Sequence, residues 1–325
     1  MTRASSVSNT LGPQLPSKNS DQVMTVCSLR PRFQGANIRT WIGFKQLLYL
    51  VEEAVLQWFR ERQMGPQRLF HDYGVELEII DSSALLITLM EADDIVTAEA
   101  ELCQGNQLSV RLLVRRGGCD VVSVKAKVIV ALRPAKAGAN ARLYPRDVAS
   151  WVARSATCNN EGDVLHLTPG QSVESLLAPS GSRNFLWTWQ ARYFDCHYSH
   201  HVQHSTYVRV LEEVVDRFLG DRGISITRML REYKWIPVVS RVRVTMLAEA
   251  YMDEKVCTTF VVQDVMKGFT YDGRMDCYAR RGNTLVHTAT ARILHGYAIS
   301  EGERAGQLTE LDQATIDALM AETRP

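Results

Sequence analysis

From Phe44 onward apolar side chains recur at Leu47, Leu48, Val51, Ala54, Val55, Trp58 and Phe59, the i, i+3, i+4, i+7 spacing that lines one face of a helix. Gly65-Pro66 ends the run, so a long helix with a broad apolar stripe is expected there. The period then changes. Residues 75–89, 95–102, 107–115 and 121–132 alternate or are rich in β-branched residues, with Gly, Asn and Asp between them, which predicts strands joined by turns. A helix followed by an antiparallel sheet is the implied unit.

The same order returns later in the chain. Tyr207, Val210, Leu211, Val214, Val215, Phe218 and Leu219 form a second stripe ending near Gly220 and Gly223, and residues 238–248, 256–265, 268–280 and 284–295 again read as strands. Arg32-Phe33 and Arg192-Tyr193 lie 160 positions apart, as do Glu52-Glu53 and Glu212-Glu213, while Arg115-Arg116-Gly117 and Arg280-Arg281-Gly282 lie 165 apart. One small insertion accounts for both offsets, and a tandem repeat follows. The expected organisation is a floppy tail at 1–25, one copy at 26–133, a Pro/Gly/Ser-rich connector at 134–187 with a helical patch at 147–154, a second copy at 188–299, and an amphipathic helix within 300–325.

Composition narrows the possibilities further. With 46% hydrophobic and 22% charged residues the chain can bury a core, and a formal charge of +1 provides no global field for nucleic acid or an anionic membrane. The absence of an apolar run long enough to span a bilayer, and of an apolar signal core at the start, predicts a soluble, non-secreted protein. Seven cysteines without CxxC pairs fit reduced thiols in a cytoplasm.

Four of the eight histidines, His197, His200, His201 and His204, fall within eight positions. Imidazole titrates near neutrality and suits general acid–base work. Histidines at i, i+3, i+4 and i+7 of a helix would also suit a metal, but spacing dictates no Cys, Asp or Glu partner. No bound ion and no cofactor are therefore expected. Asp195 reads either as a group orienting a histidine or activating water, or as a helix-entry cap or partner of Arg192.

The segment Arg192-Tyr193, Asp195-Cys196, His201-Val202, Tyr207 and Leu211-Glu212-Glu213 resembles the entry loop and helix start of the 4-hydroxybenzoyl-CoA thioesterase-like hotdog enzymes. The resemblance implies an α+β double hotdog, each copy a long central helix wrapped by an antiparallel sheet. His197 stands where that family carries a catalytic Asp, Gln203-His204 replaces its Asn pair, and His201 sits where plant acyl-carrier-protein thioesterases place a His before Val. In the first copy Asn37 matches His197 and Trp41 matches His201, with the acid and every histidine lost.

What the resemblance implies is hydrolysis of an acyl thioester, acyl-CoA or acyl on a carrier protein. Water would be activated by His197 or Asp195, with the carbonyl held by backbone N–H groups near His201 at the start of the second helix. Asn37, Trp41 and Tyr207 would shape the pocket, and Arg280 and Arg281 either clamp nucleotide phosphates or stand in an ordinary solvated turn. In some hotdog thioesterases a helix Glu is the base, which marks Glu52-Glu53 and Glu212-Glu213; such a pair otherwise serves solvent-side or interface contacts. The alternatives are a hotdog dehydratase or hydratase on a 3-hydroxyacyl or enoyl thioester, whose His-x-x-x-Gly-x-x-x-x-Pro pattern is missing, and a non-catalytic acyl-binding protein. A homodimer of double hotdogs is a further expectation.

Overall fold

The computed structural model describes residues 24–135, 144–155, 162–198 and 200–322. The expected tail at 1–25 lies outside the described residues up to position 23. The first half runs β1 (Thr25–Leu29), α1 (Phe44–Glu61), α2 (Pro66–Tyr73), β2 (Val75–Leu86), β3 (Val96–Gln104), β4 (Gln107–Arg116) and β5 (Cys119–Pro134). The intervening segment holds α3 (Arg146–Ser155), β6 (Val164–His166) and α4 (Val173–Leu177). The second half runs β7 (Phe185–Gln190), β8 (Cys196–His197), β9 (His201–Val202), α5 (His204–Asp221), α6 (Ile226–Tyr233), β10 (Trp235–Met246), β11 (Lys255–Met266), β12 (Thr270–Arg281) and β13 (Thr284–Ile299). A last helix, α7 (Gln313–Met320), follows.

One antiparallel sheet runs through both halves in the order β1-β3-β4-β5-β2-β10-β13-β12-β11-β7, with β6 added on β13. The seam is the pair β2 and β10, where Asp81 lies opposite Thr245, Ser83 opposite Arg243 and Leu85 opposite Arg241. The 160-residue offset carries Ser83 onto Arg243, so the two equivalent residues face each other and the two halves meet about an approximate twofold axis at that pair. Asp81, buried, fixes this register by accepting from Arg243 Nε at 3.0 Å and Thr245 Oγ1 at 2.5 Å.

The two central helices pack inside the sheet. The predicted stripe of α1 is buried from Leu47 to Phe59, and α5 buries Tyr207, Leu211, Val214, Phe218 and Leu219. Trp151 of α3 meets Trp58 and Phe59 edge-on at 5.9 and 5.0 Å, so the connector closes the core beneath α1. Burying side chains of this size contributes roughly 1.5–3 kcal/mol each, and truncating Trp58 would cost about 3–5 kcal/mol. The period of the sequence misses α2 and α6, whose eight residues span barely two turns, and the edge strands β1 and β7. Those edges fall at the margins of the expected tail and connector.

Candidate active site

The loop leading into α5 is a short 3-10 turn over Tyr193–Asp195 followed by the hairpin of β8 and β9, in which His197 pairs with His201. The tip is turned by Tyr198 at φ 56°, a left-handed conformation that bulky residues adopt at a cost. Its ring stacks on Phe70 of α2 at 5.5 Å, so the hairpin of the second half is pinned onto the first. His201 also bridges to Tyr251, and Val202 N–H donates to the Ala250 carbonyl.

Asp195 is adjacent in sequence and differently employed. Its Oδ2 accepts from Arg192 N–H at 2.9 Å, and its Oδ1 accepts from Arg209 Nη2 at 2.9 Å and Thr206 Oγ1 at 3.4 Å. Both carboxylate oxygens are thus taken by the turn and by α5. Of the two roles open in the sequence, the helix-entry clasp matches these bonds.

His197 lines a narrow cleft with Glu52 and Leu56 of α1, Leu77, Glu78 and Ile79 of β2, Tyr198, Gln203, His204, Ser205 and Met246. Helix and strand of the first half form one wall, and the hairpin and helix start of the second form the other. Burial pushes the His197 imidazole below its ordinary range, which keeps it neutral at pH 7, and its Nδ1 is buried without a hydrogen-bond partner. Burial, with a smaller push from Glu53, raises the Glu52 carboxyl to about 7. The N-cap residue of α5, Gln203, caps no helix N–H with its side chain, so the first turn presents polar N–H groups at this cleft. His204 is fully buried, held near the seam by Ser82 Oγ at 3.0 Å, and pushed down to about 4 by burial.

A second cavity, of about 490 Å³, adjoins the cleft through Glu78, Val202 and Met246 and is lined further by Arg133, His201, Glu249, Tyr251 and Arg281. Its size is that of a small-molecule site. Three carboxylates converge on His201: Glu76 Oε2 and Glu78 Oε1 lie 3.7 and 3.8 Å from Nδ1, and Glu249 Oε2 lies 3.8 Å from Nε2. Arg133 Nη1 stands 3.1 Å from the other oxygen of Glu78. Arg281 is held by Glu254 at 2.6 Å, by the Glu249 carbonyl at 2.8 Å, and over the Tyr251 ring at 5.1 Å.

Equivalent positions in the other half carry different chemistry. Where this end of the molecule has His197, His201, Glu76 and Glu78, the offset places Asn37, Trp41, Ile236 and Val238; Arg133 corresponds to Ala298 and Glu249 to Leu89. Trp41 bridges to Glu91 as His201 bridges to Tyr251. Asn37 and Trp41 line neither cavity described above, because the twofold relation carries them to the opposite end of the helix pair. Lys45, at the place of Ser205, is ion-paired with Glu212, at the place of Glu52.

The remaining candidates divide. Tyr207 is fully buried in the core and lines neither cavity. Arg280 is exposed, its Nε 3.4 Å from the Gly282 carbonyl. The clasp of Arg281 repeats that of Arg116, which binds Asp94 at 2.6 Å and the Leu89 carbonyl at 3.0 Å. Sequence reasoning missed Glu76 and Glu78, taken only as part of a strand. Aligning the repeats shows them opposite Ile236 and Val238, a polar-for-apolar exchange that marks one end of the seam.

Residues 192–319 match the model of the thioesterase-like superfamily. Among solved structures it is similar to the 12:0-ACP thioesterase from Umbellularia californica, at TM-score 0.57 and 11% identity over 84% of this chain and 94% of that one. It is also similar to a putative oleoyl thioesterase from Lactobacillus plantarum, at TM-score 0.56 and 10% identity over 86% of this chain and 98% of that one. A search of curated protein sequences finds no match. The fold is a double hotdog. Among the described residues no helix is long and apolar enough to cross a membrane.

Proposed function

We propose that the protein hydrolyses an acyl thioester, acyl-CoA or acyl on a carrier protein, at a single site between the halves. The observation carrying this reading is the cleft that takes His197 from the hairpin of the second half and Glu52 from the central helix of the first. A neutral imidazole and a carboxylate that ionises near pH 7 are both able to take a proton from water at working pH. The thioester carbonyl is received by the N–H groups of the first turn of α5, which stabilise the oxyanion as it forms. The acyl group lies among Leu56, Leu77, Ile79 and Met246, and the thiol-bearing part of the substrate enters through the larger cavity. In this scheme Asp195 positions the hairpin through Arg192, Thr206 and Arg209, and His201 anchors it to β2. At the opposite end Asn37 and Val238 stand for His197 and Glu78, and Glu212, the counterpart of Glu52, is ion-paired with Lys45, which supports one working site.

The test is release of free thiol from acyl-CoAs of graded chain length by the full chain and by His197→Ala. The reading expects turnover that falls by roughly 10²-fold or more in the variant, the scale of a lost general base. No turnover of any acyl-CoA or acyl carrier protein, with acyl ligands still bound, would replace it by a binding protein.

A further inference from the structure

The histidine cluster reads in sequence as a set of helix positions without acidic partners. Folding instead takes His201 out of the helix and sets it against a strand of the other half. There its Nδ1 faces Glu76 Oε2 at 3.7 Å and Glu78 Oε1 at 3.8 Å, and one ligand atom from each of the three residues lies within 4.8 Å of the others. The His201 side chain is only 9% exposed, and neither ring nitrogen has a hydrogen-bond partner. The carboxylates stand too far from the ring for a hydrogen bond, a spacing that leaves room for an ion between Nδ1 and the oxygens of Glu76 and Glu78.

We propose that His201, Glu76 and Glu78 form a divalent-cation site that ties the hairpin of the second half to β2 of the first. A zinc ion takes imidazole nitrogen and carboxylate oxygen at about 2.0–2.2 Å, which sets ligand atoms about 3.4 Å apart around a tetrahedral centre. The two distances from Nδ1 to the carboxylates, 3.7 and 3.8 Å, need to close by a few tenths of an ångström. Around the site, Glu249 Oε2 stands 3.8 Å from Nε2, and Arg133 Nη1 stands 3.1 Å from the other oxygen of Glu78 and balances its charge. One nitrogen and two carboxylate oxygens suit zinc or manganese better than a softer ion. Three protein ligands leave a position open toward the cavity that His201 and Glu78 line. The counterparts Trp41, Ile236 and Val238 provide no ligand, so among the described residues the site exists once.

The experiment uses the full chain, stripped with chelator and dialysed against zinc chloride or manganese chloride without substrate, so its outcome is independent of hydrolysis. Bound metal is counted by elemental analysis, and the melting temperature is recorded with and without the ion. The expected result is close to one equivalent per chain and a rise in melting temperature that follows ion concentration. His201→Gln and Glu76→Gln should each weaken binding at least about tenfold, while His200→Gln, outside the cluster, binds as the parent does. Binding by His201→Gln equal to that of the parent, or no ion retained by the parent, overturns the proposal. If Glu76→Gln fails to fold, His201→Gln and the parent decide it alone.

Discussion

Glu212 is ion-paired with Lys45, whereas Glu52, its equivalent on the other central helix, faces Ser205 across a cleft. At these two carboxylates the exchange of lysine for serine separates the two ends of an approximately twofold molecule. At one end the carboxylate is neutralised and half-exposed. At the other it is enclosed by Leu56, Leu77 and Ile79, and burial raises it to about 7. The fold supplies the site twice, and the side chains retain it once.

A carboxyl raised in the folded state destabilises that state as soon as it must ionise. The unfolded chain releases this proton near pH 4.5 and the folded chain near 7, so stability falls as pH rises between those values. Glu52→Gln removes the effect. Its melting temperature should match the parent at pH 5 and exceed it at pH 8, by roughly 1–3 kcal/mol of stability. Equal shifts at both pH values would contradict the buried carboxyl.

The opposite slope comes from His295, fully buried between the rings of Tyr271 and Tyr297, and from His204; burial pushes them down to about 3 and about 4. The unfolded chain takes up protons below about 6.5 and these two sites refuse them, so stability falls from pH 6.5 toward 4. His295→Phe should flatten that decline by roughly 1–3 kcal/mol at pH 4. Denaturant melts at pH 7 and pH 4 measure it, and an unchanged decline would count against the assignment.

Asp195 holds its turn through three donors. Asp195→Ala should cost roughly 2–4 kcal/mol, because it strands the Arg209 cation and two further donors. Asp195→Asn should retain more activity than His197→Ala. A Asp195→Asn enzyme of parental stability but no turnover would instead make the carboxylate the water-activating group.

Arg116 and Arg281 make the same clasp in the two halves, and only Arg281 lines a cavity. Alanine at either should lower stability by roughly 1–2 kcal/mol, while only Arg281→Ala should raise KM. Thermal melts beside steady-state kinetics separate the two effects, and a raised KM in Arg116→Ala would remove the distinction.

The helices and the eight long strands were legible because each buries one face against the same core, and burial imposes period 3.6 or 2 on the residues. Glu52 with Glu212 and Arg116 with Arg281 keep near-equal spacing along like elements of the two halves. The edge strands β1 and β7 and the short helices α2 and α6 were not legible, because they bury too few residues to set a period. The hairpin histidines were visible as a cluster, but their surroundings were not. Glu52, Glu76 and Glu78 reach them only through the pairing of β2 with β10, a contact between residues some 160 positions apart. Asn37 and Trp41 were read as shaping the pocket because they align with His197 and His201, but alignment across a twofold axis places them at the far end.

The central claim is one site, built from the hairpin of the second half and the helix of the first, and the paired substitution of the two helix glutamates tests it most directly. In steady-state thioester hydrolysis, Glu52→Gln should lower kcat by roughly 10²-fold or more, and Glu212→Gln should stay within about threefold of the parent. Equal losses in the two variants, or full activity in Glu52→Gln, would contradict it.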